Sequence, residues 1–187
     1  MTPGVRKVKL TAKTVGVIVA PGFDDGQVIR VTEILKGMEA QVLVISLGDT
    51  VPAGVAGMRG ALIKPGIQMS RLHPANLDAL IIPGGNSTAS MQADSMMLTL
   101  IMEIESMEKP IGAIGNGVAV LASAGQVASR RVTGDYRIKP AVEEAGATYL
   151  DQALVVDHNL VTAQSDRNLD HFVEAIAFLL QPATTLR

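Results

Sequence analysis

At 187 residues, 48% of them hydrophobic and only 18% charged, the chain has the length and composition of one domain with a large core. A net charge of −2 and an aromatic set of three Phe, two Tyr and no Trp argue against nucleic-acid partners, which need a basic footprint and stacking platforms. The absence of cysteine excludes disulfides, thiolate metal sites and thiol nucleophiles together.

In chain order, residues 1–13 carry Arg6, Lys7, Lys9 and Lys13 without the apolar run of a signal peptide. They are expected to form a flexible tail ahead of a single domain over residues 14–187. Val15 to Ala20 is a continuous aliphatic run, as expected for a strand covered on both faces. Val28, Val31, Leu35 and Met38 then fall at helical spacing, with Gly37 weakening the end. Val42 to Leu47 reads as a second strand. Pro52 to Ile63, with Gly54, Gly57 and Gly60, reads as a hairpin-like insert.

Ala79 to Ile82 gives a further strand. Met97, Leu100, Ile101, Ile104 and Met107 give a helix capped by Asp94 or Ser95 and ended before Pro110. Ile111 to Ile114 is a buried strand leading through a sharp turn at Gly115 into another helix. Leu154 to Val156 and Leu160 to Thr162, joined by Asp157, His158 and Asn159, predict a second hairpin. A final amphipathic stripe, Leu169, Phe172, Val173, Ile176, Leu179 and Leu180, opens near Asp166 and stops at Pro182.

This alternation predicts an α/β fold, a three-layer sandwich with a mostly parallel sheet and helices on both faces, of the flavodoxin-like kind. No stretch of about 18 apolar residues is present to span a bilayer. A cytoplasmic protein without membrane partners is the expectation.

Ligands of such sheets bind at the carboxyl ends of the strands. Three of those ends are informative: Ala20 to Gln27, Pro83 to Ser87, and the Gly115 turn. The two glycine loops can bring bare N–H groups of Gly85 and Asn116 to a small carbonyl or anion, and the Gly115 turn feeds a helix N-terminus. Dinucleotide binding is disfavoured: after Gly115 and Gly117, the third glycine of G-x-G-x-x-G is replaced by Val120. Asp24 and Asp25 would also repel a pyrophosphate, and there is no Gly-Lys-Ser/Thr run. His73, His158 and His171 are scattered without a paired spacing, so neither metal nor cofactor is expected. Ser87 and Ser165 lie near strand ends but have no evident histidine partner, so both read as structural.

Three motifs in order carry a resemblance: Gly22-Phe23-Asp24-Asp25, then Leu80-Ile81-Ile82-Pro83-Gly84-Gly85, then Gly112 to Gly117 followed by Leu121-Ala122-Ser123-Ala124-Gly125. The chain resembles the ThiJ/PfpI superfamily, with its class I glutamine-amidotransferase-like fold, over roughly residues 14 to 180. Glu144 to Ala147 and Val155 to Thr162 resemble its C-terminal portion.

Members of that kind carry a thiol at the turn after this strand, often a histidine next to it, and a glutamate from the first helix. The resemblance places these groups at Gly115, Asn116 and Gln27, so all three reactive groups are replaced. It implies a member without thiol-dependent protease, deglycase or glyoxalase activity, a pseudoenzyme with no catalytic residues. The pocket is expected at Asp24, Gln27, Gly84, Gly85, Asn86, Gly115 and Asn116, binding a small carbonyl or anionic ligand in a homo-oligomer. Two rival readings are a noncovalent hydrolase or lyase using Asp24, Gln27 and a bound water, and a structural or assembly module whose pocket is filled by side chains.

Overall fold

The computed structural model describes residues 8–49 and 51–181. In chain order the elements are β1 (Thr14–Val19), α1 (Asp25–Gly37), β2 (Gln41–Ser46), the short strands β3 (Val55–Ala56), β4 (Leu62–Ile63) and β5 (Ile67–Gln68), and β6 (Ala79–Ile82). There follow α2 (Thr88–Ala93), α3 (Ser95–Ser106), β7 (Ile111–Ile114), α4 (Val118–Ser123), β8 (Arg131–Val132), α5 (Lys139–Glu144), β9 (Thr148–Tyr149), β10 (Leu154–Asp157), β11 (Leu160–Ala163) and α6 (Leu169–Leu179).

The main sheet has seven strands in the order β10-β11-β7-β6-β1-β2-β5, and only β10 runs antiparallel to its neighbour. The aliphatic runs are continuous because alternate side chains feed two different cores. Val15, Val17 and Val19 of β1, with Ala79 and Ile81 of β6, pack against Val28, Val31 and Leu35 of α1 and Phe172, Val173 and Ile176 of α6. Ile18, Leu80, Ile82 and Ala113 point the other way, into a core with Met97, Ile101 and Ile104 of α3, Val120 and Leu121 of α4, and Val142 of α5. Burying each such aliphatic side chain contributes about 1.5–3 kcal/mol before the ordering entropy is counted. With so few aromatics, Phe172 is one of only two Phe that are fully buried, the other being Phe23.

Local signals set the element ends. Asp94 caps α3, its carboxylate accepting from the Met97 N–H at 2.9 Å. The insert folds as the β3–β4 hairpin, with Val55 opposite Ile63. The second hairpin pairs Asp157 with Leu160, leaving a two-residue turn in which His158 adopts φ +51°. One expectation is corrected at the Gly115 turn. A 3₁₀ turn over Gly115–Gly117 comes first, and α4 is only six residues long, so little macrodipole is available to hold an anion there.

At the N-terminus the chain is anchored ahead of Thr14. Leu10 is fully buried and donates its N–H to the Met38 carbonyl at 2.7 Å, while Lys9 pairs with Glu39. Residues 1–7, with Arg6 and Lys7 of the expected tail, lie outside the described residues, as does Pro182 at the expected stop. Among the described residues no helix is long and apolar enough to cross a membrane.

Candidate functional site

The segment leaving β1 is fixed before any ligand is considered. Asp24 caps α1, its Oδ1 accepting from the Gln27 N–H at 3.1 Å, and its own N–H donates to the Gly84 carbonyl at 2.9 Å. Asp25 turns the other way and accepts from the N–H groups of Arg59 (2.9 Å) and Ala61 (2.7 Å). It thereby holds the β3–β4 hairpin against the start of α1. Burial raises the Asp25 carboxyl, but these two N–H bonds and the nearby Arg59 charge outweigh it and hold the group below its ordinary value. The adjacent carboxylates are therefore divided between a helix cap and a hairpin anchor.

The glycine loop after β6 is closed by side-chain amides. Gln27 Oε1 accepts from the Gly84 N–H at 2.7 Å. Asn116 Oδ1 accepts from the Gly85 N–H and its Nδ2 donates to the Gly85 carbonyl, both at 2.9 Å. The anion-binding role expected of the Gly85 N–H is thus corrected: the side chain that replaces an imidazole in the resemblance already occupies that donor. An amide can satisfy both groups of one residue because it carries a donor and an acceptor side by side.

Two positive-φ glycines in this region are needed for different reasons. At Gly85 (φ +108°) a Cβ would lie 2.5 Å from both the Asp24 nitrogen and the Gly22 oxygen, so the crossing of the two loops admits no side chain. At Gly115 (φ +60°) a Cβ would meet only Gln27 Nε2 at 3.5 Å and the Gln164 carbonyl at 3.9 Å, both ordinary contacts. The space above Gly115 is open; only the backbone conformation disfavours a larger residue.

That space is the floor of a cleft of about 390 Å³ at the carboxyl ends of β1, β6, β7 and β11. Of the residues singled out in the sequence, Asp24, Gln27, Gly85, Asn86, Gly115 and Asn116 line it, while Gly84 lies behind the wall, bonded to Gln27. The cleft is open, unlike the side-chain-filled pocket that an assembly module implies. Sequence reasoning missed Met58 and Arg59 from the hairpin tip, Asp135 and Arg137 after β8, and Gln164 and Asp166 after β11. The end of β11 was a readable signal, as the carboxyl end of an inner parallel strand. Nothing local marks the other two segments, which tertiary packing brings in.

Of the two candidate serines, Ser165 lines the cleft and accepts weakly from the Arg167 N–H at 3.4 Å. Ser87 is buried with its hydroxyl unpaired and does not line it. His73 accepts from the Ala75 N–H, His158 sits in the turn between β10 and β11, and His171 lies on α6; none lines the cleft. No hydroxyl here has a histidine to activate it. Among the described residues no group of three or more His, Cys, Asp or Glu is placed to hold a metal ion.

Polar groups around the cleft divide into engaged and open ones. Asp135 and Arg137 form a two-pronged pair at 2.8 and 2.6 Å, and the guanidinium holds the Asp135 carboxyl below its ordinary value. Gln27 Nε2 has no hydrogen-bond partner among the described residues, whereas the Arg59 guanidinium sits 3.8 Å from the Asp24 carboxylate and its charge also acts on Asp25. Asp166 is exposed and likewise without a partner among the described residues. The arrangement offers a donor at the floor, with the Arg59 cation on the hairpin and the Asp166 carboxylate beside Gly26 also on the lining.

Comparison with known proteins agrees with this geometry. The model of the DJ-1/PfpI family matches residues 13–178. An uncharacterized protein of Staphylococcus epidermidis is 31% identical over 174 residues, which cover 91% of this chain and 99% of that protein. Among solved structures, a two-domain protein of Anabaena variabilis containing DJ-1/ThiJ/PfpI-like and ferritin-like domains superposes with a TM-score of 0.86 at 27% identity. The match covers 94% of this chain and 50% of that one, so the present chain spans about half its length. DJ-1beta of Drosophila melanogaster gives a TM-score of 0.83 at 26% identity, covering 90% of each chain.

Proposed function

Because this chain belongs to the DJ-1/PfpI family and yet holds no cysteine, we propose that it is a ligand-binding member acting without covalent catalysis. The observation that carries the reading is the floor of the cleft. Gly115 keeps the left-handed backbone of the turn where the resemblance places a thiol, and the space above it stays open toward the unpaired amide nitrogen of Gln27. An unpartnered donor that lines a cleft can be met by a ligand that brings an acceptor. A carbonyl or carboxylate oxygen resting on Gln27 Nε2, with charge balanced by Arg59, fits that requirement.

The noncovalent hydrolase reading needs Asp24 as a base. One Asp24 oxygen is the cap of α1 and the other faces Arg59, which leaves no free oxygen aimed at a water over Gly115. Binding is therefore the better supported function, within a homo-oligomer as the resemblance implies.

The test is a heteronuclear NMR titration with acetate and pyruvate at millimolar concentration, run beside turnover assays on aldehydes, α-oxoaldehydes and peptides. The Gln27 side-chain amide and the Gly115 and Arg59 signals should shift together and saturate, with no product formed. Turnover that vanishes on a cleft substitution would overturn the reading, as would titrations in which those signals stay still.

A further inference from the structure

The two side-chain amides of the site use their ends differently. Asn116 spends both on Gly85, whereas Gln27 spends only its oxygen, on the buried Gly84 N–H at 2.7 Å. Gly84 is held from its other side as well, its carbonyl accepting from the Asp24 N–H at 2.9 Å. The ends of the Gln27 amide therefore face two different glycines. A Cβ on Gly84 would stand 3.3 Å from Oε1, and one on Gly115 would stand 3.5 Å from Nε2.

This pairing fixes which end reaches the cleft. Turning the amide over would set its NH2 group against the Gly84 N–H, donor against donor, and leave that buried N–H unpaired. Losing one buried hydrogen bond disfavours the reversed amide by about tenfold or more. Gln27 is only 6% exposed, and its backbone N–H is tied to Asp24 Oδ1 at 3.1 Å. What the floor shows to a ligand is Nε2, which donates and does not accept.

We propose, on the binding reading above, that Gln27 is the specificity-determining residue of the cleft and that the Gly84 N–H is its positioning group. The floor takes a ligand through an oxygen acceptor and offers nothing to one that brings only donors. An amide donor is neutral, so what it asks for is a lone pair rather than a charge: a small ketone satisfies it, and an ammonium does not. Gln27→Glu inverts the rule. One carboxylate oxygen keeps the bond to the Gly84 N–H, and the other faces the floor as an acceptor until protonation makes it a donor again.

NMR titration of the full chain with acetone and with methylammonium, beside acetate and pyruvate as reference ligands, tests this. In the wild type acetone should shift the Gln27 NH2 signals to saturation, and methylammonium should leave them in place. In Gln27→Glu at a pH of about 7, acetone affinity read on the Gly115 amide should fall about tenfold or more. It should recover as the pH is lowered to about 4, through the ordinary carboxyl range, and the wild type should show no such recovery. The charged groups around residue 27 are Asp24 and Asp25 at the start of α1, Arg59 on the hairpin, Asp135 and Arg137 after β8, and Asp166 after β11. Both proteins share them, so the difference between the two pH profiles reports residue 27. Methylammonium shifting the wild-type Gln27 signals as far as acetone does, or a folded Gln27→Glu protein binding acetone as the wild type does at a pH of about 7, overturns the donor lock while leaving a carbonyl- or carboxylate-binding cleft intact. If acetone, acetate and pyruvate all fail to bind, the binding function itself falls and the lock falls with it.

Discussion

Replacing Gly115 and Gly85 separately by alanine asks whether the cleft floor is open space or packed structure. Both glycines have positive φ, +60° at Gly115 and +108° at Gly85, so both variants carry a backbone penalty. At Gly115 the new methyl meets nothing closer than 3.5 Å, so the penalty is that of a left-handed L-residue, about 1–2 kcal/mol. Restricting the unfolded chain returns about 0.4–1 kcal/mol, which leaves a net loss of about 1 kcal/mol. For a chain of this length that corresponds to a fall in Tm of about 2–4 °C.

At Gly85 the methyl would sit 2.5 Å from two backbone atoms of the crossing loop, Asp24 N and Gly22 O, which no rotamer change relieves. The loops must separate, breaking the Asp24 N–H to Gly84 bond and the Asn116 pair, for a loss of about 3 kcal/mol or more. Urea denaturation of the two variants, fitted with a common m-value, measures the difference directly. Similar losses at both sites would refute the reasoning, because the space above Gly115 would then be packed rather than open. A Gly115→Ala protein more stable than the wild type would show that the turn does not impose positive φ.

Asn116→Ala should cost about 1–2 kcal/mol in urea denaturation, because it removes both bonds to Gly85 and leaves that N–H partly buried. Asp25→Ala should release the β3–β4 hairpin, so that trypsin cuts after Arg59 about tenfold faster than in the wild type, whereas unchanged proteolysis would mean the hairpin is held by other contacts. The N–H of Arg131 holds the Asp157 carboxyl below its ordinary 3.8, and the charges of Arg130 and Arg131 add to the effect against the opposing influence of burial. A carboxyl with a folded pKa below its unfolded one stabilises fully above 3.8 and loses that contribution as the pH falls through the folded value. Urea midpoints should therefore fall below pH 3.8 more steeply for the wild type than for Asp157→Asn; parallel curves would contradict the assignment.

Much of the fold was legible because it follows from periodicity. Continuous aliphatic runs marked β1, β2, β6 and β7, and three-four spacing marked α1, α3 and α6. The elements that escaped notice are short: β5, β8 and β9 have two residues each, and α2 and α5 have six. Elements of that length carry too few residues to show a period. Of the site, the parts on three successive strand ends were readable from their glycines and from the missing thiol.

What the sequence determined by itself is the layered α/β fold and the absence of any thiol, since both depend on residue identity and local order. The tertiary structure decided which donors remain free. Asn116 and Gly85 lie 31 residues apart and Gln27 and Gly84 lie 57 apart, yet each pair closes a hydrogen bond that no local pattern announces. Those closures occupy the N–H groups of Gly84 and Gly85 and leave Gln27 Nε2 as an unpartnered donor on the cleft. Hydrogen-bond satisfaction depends on what the whole fold brings within about 3 Å, and the chain order alone does not contain it.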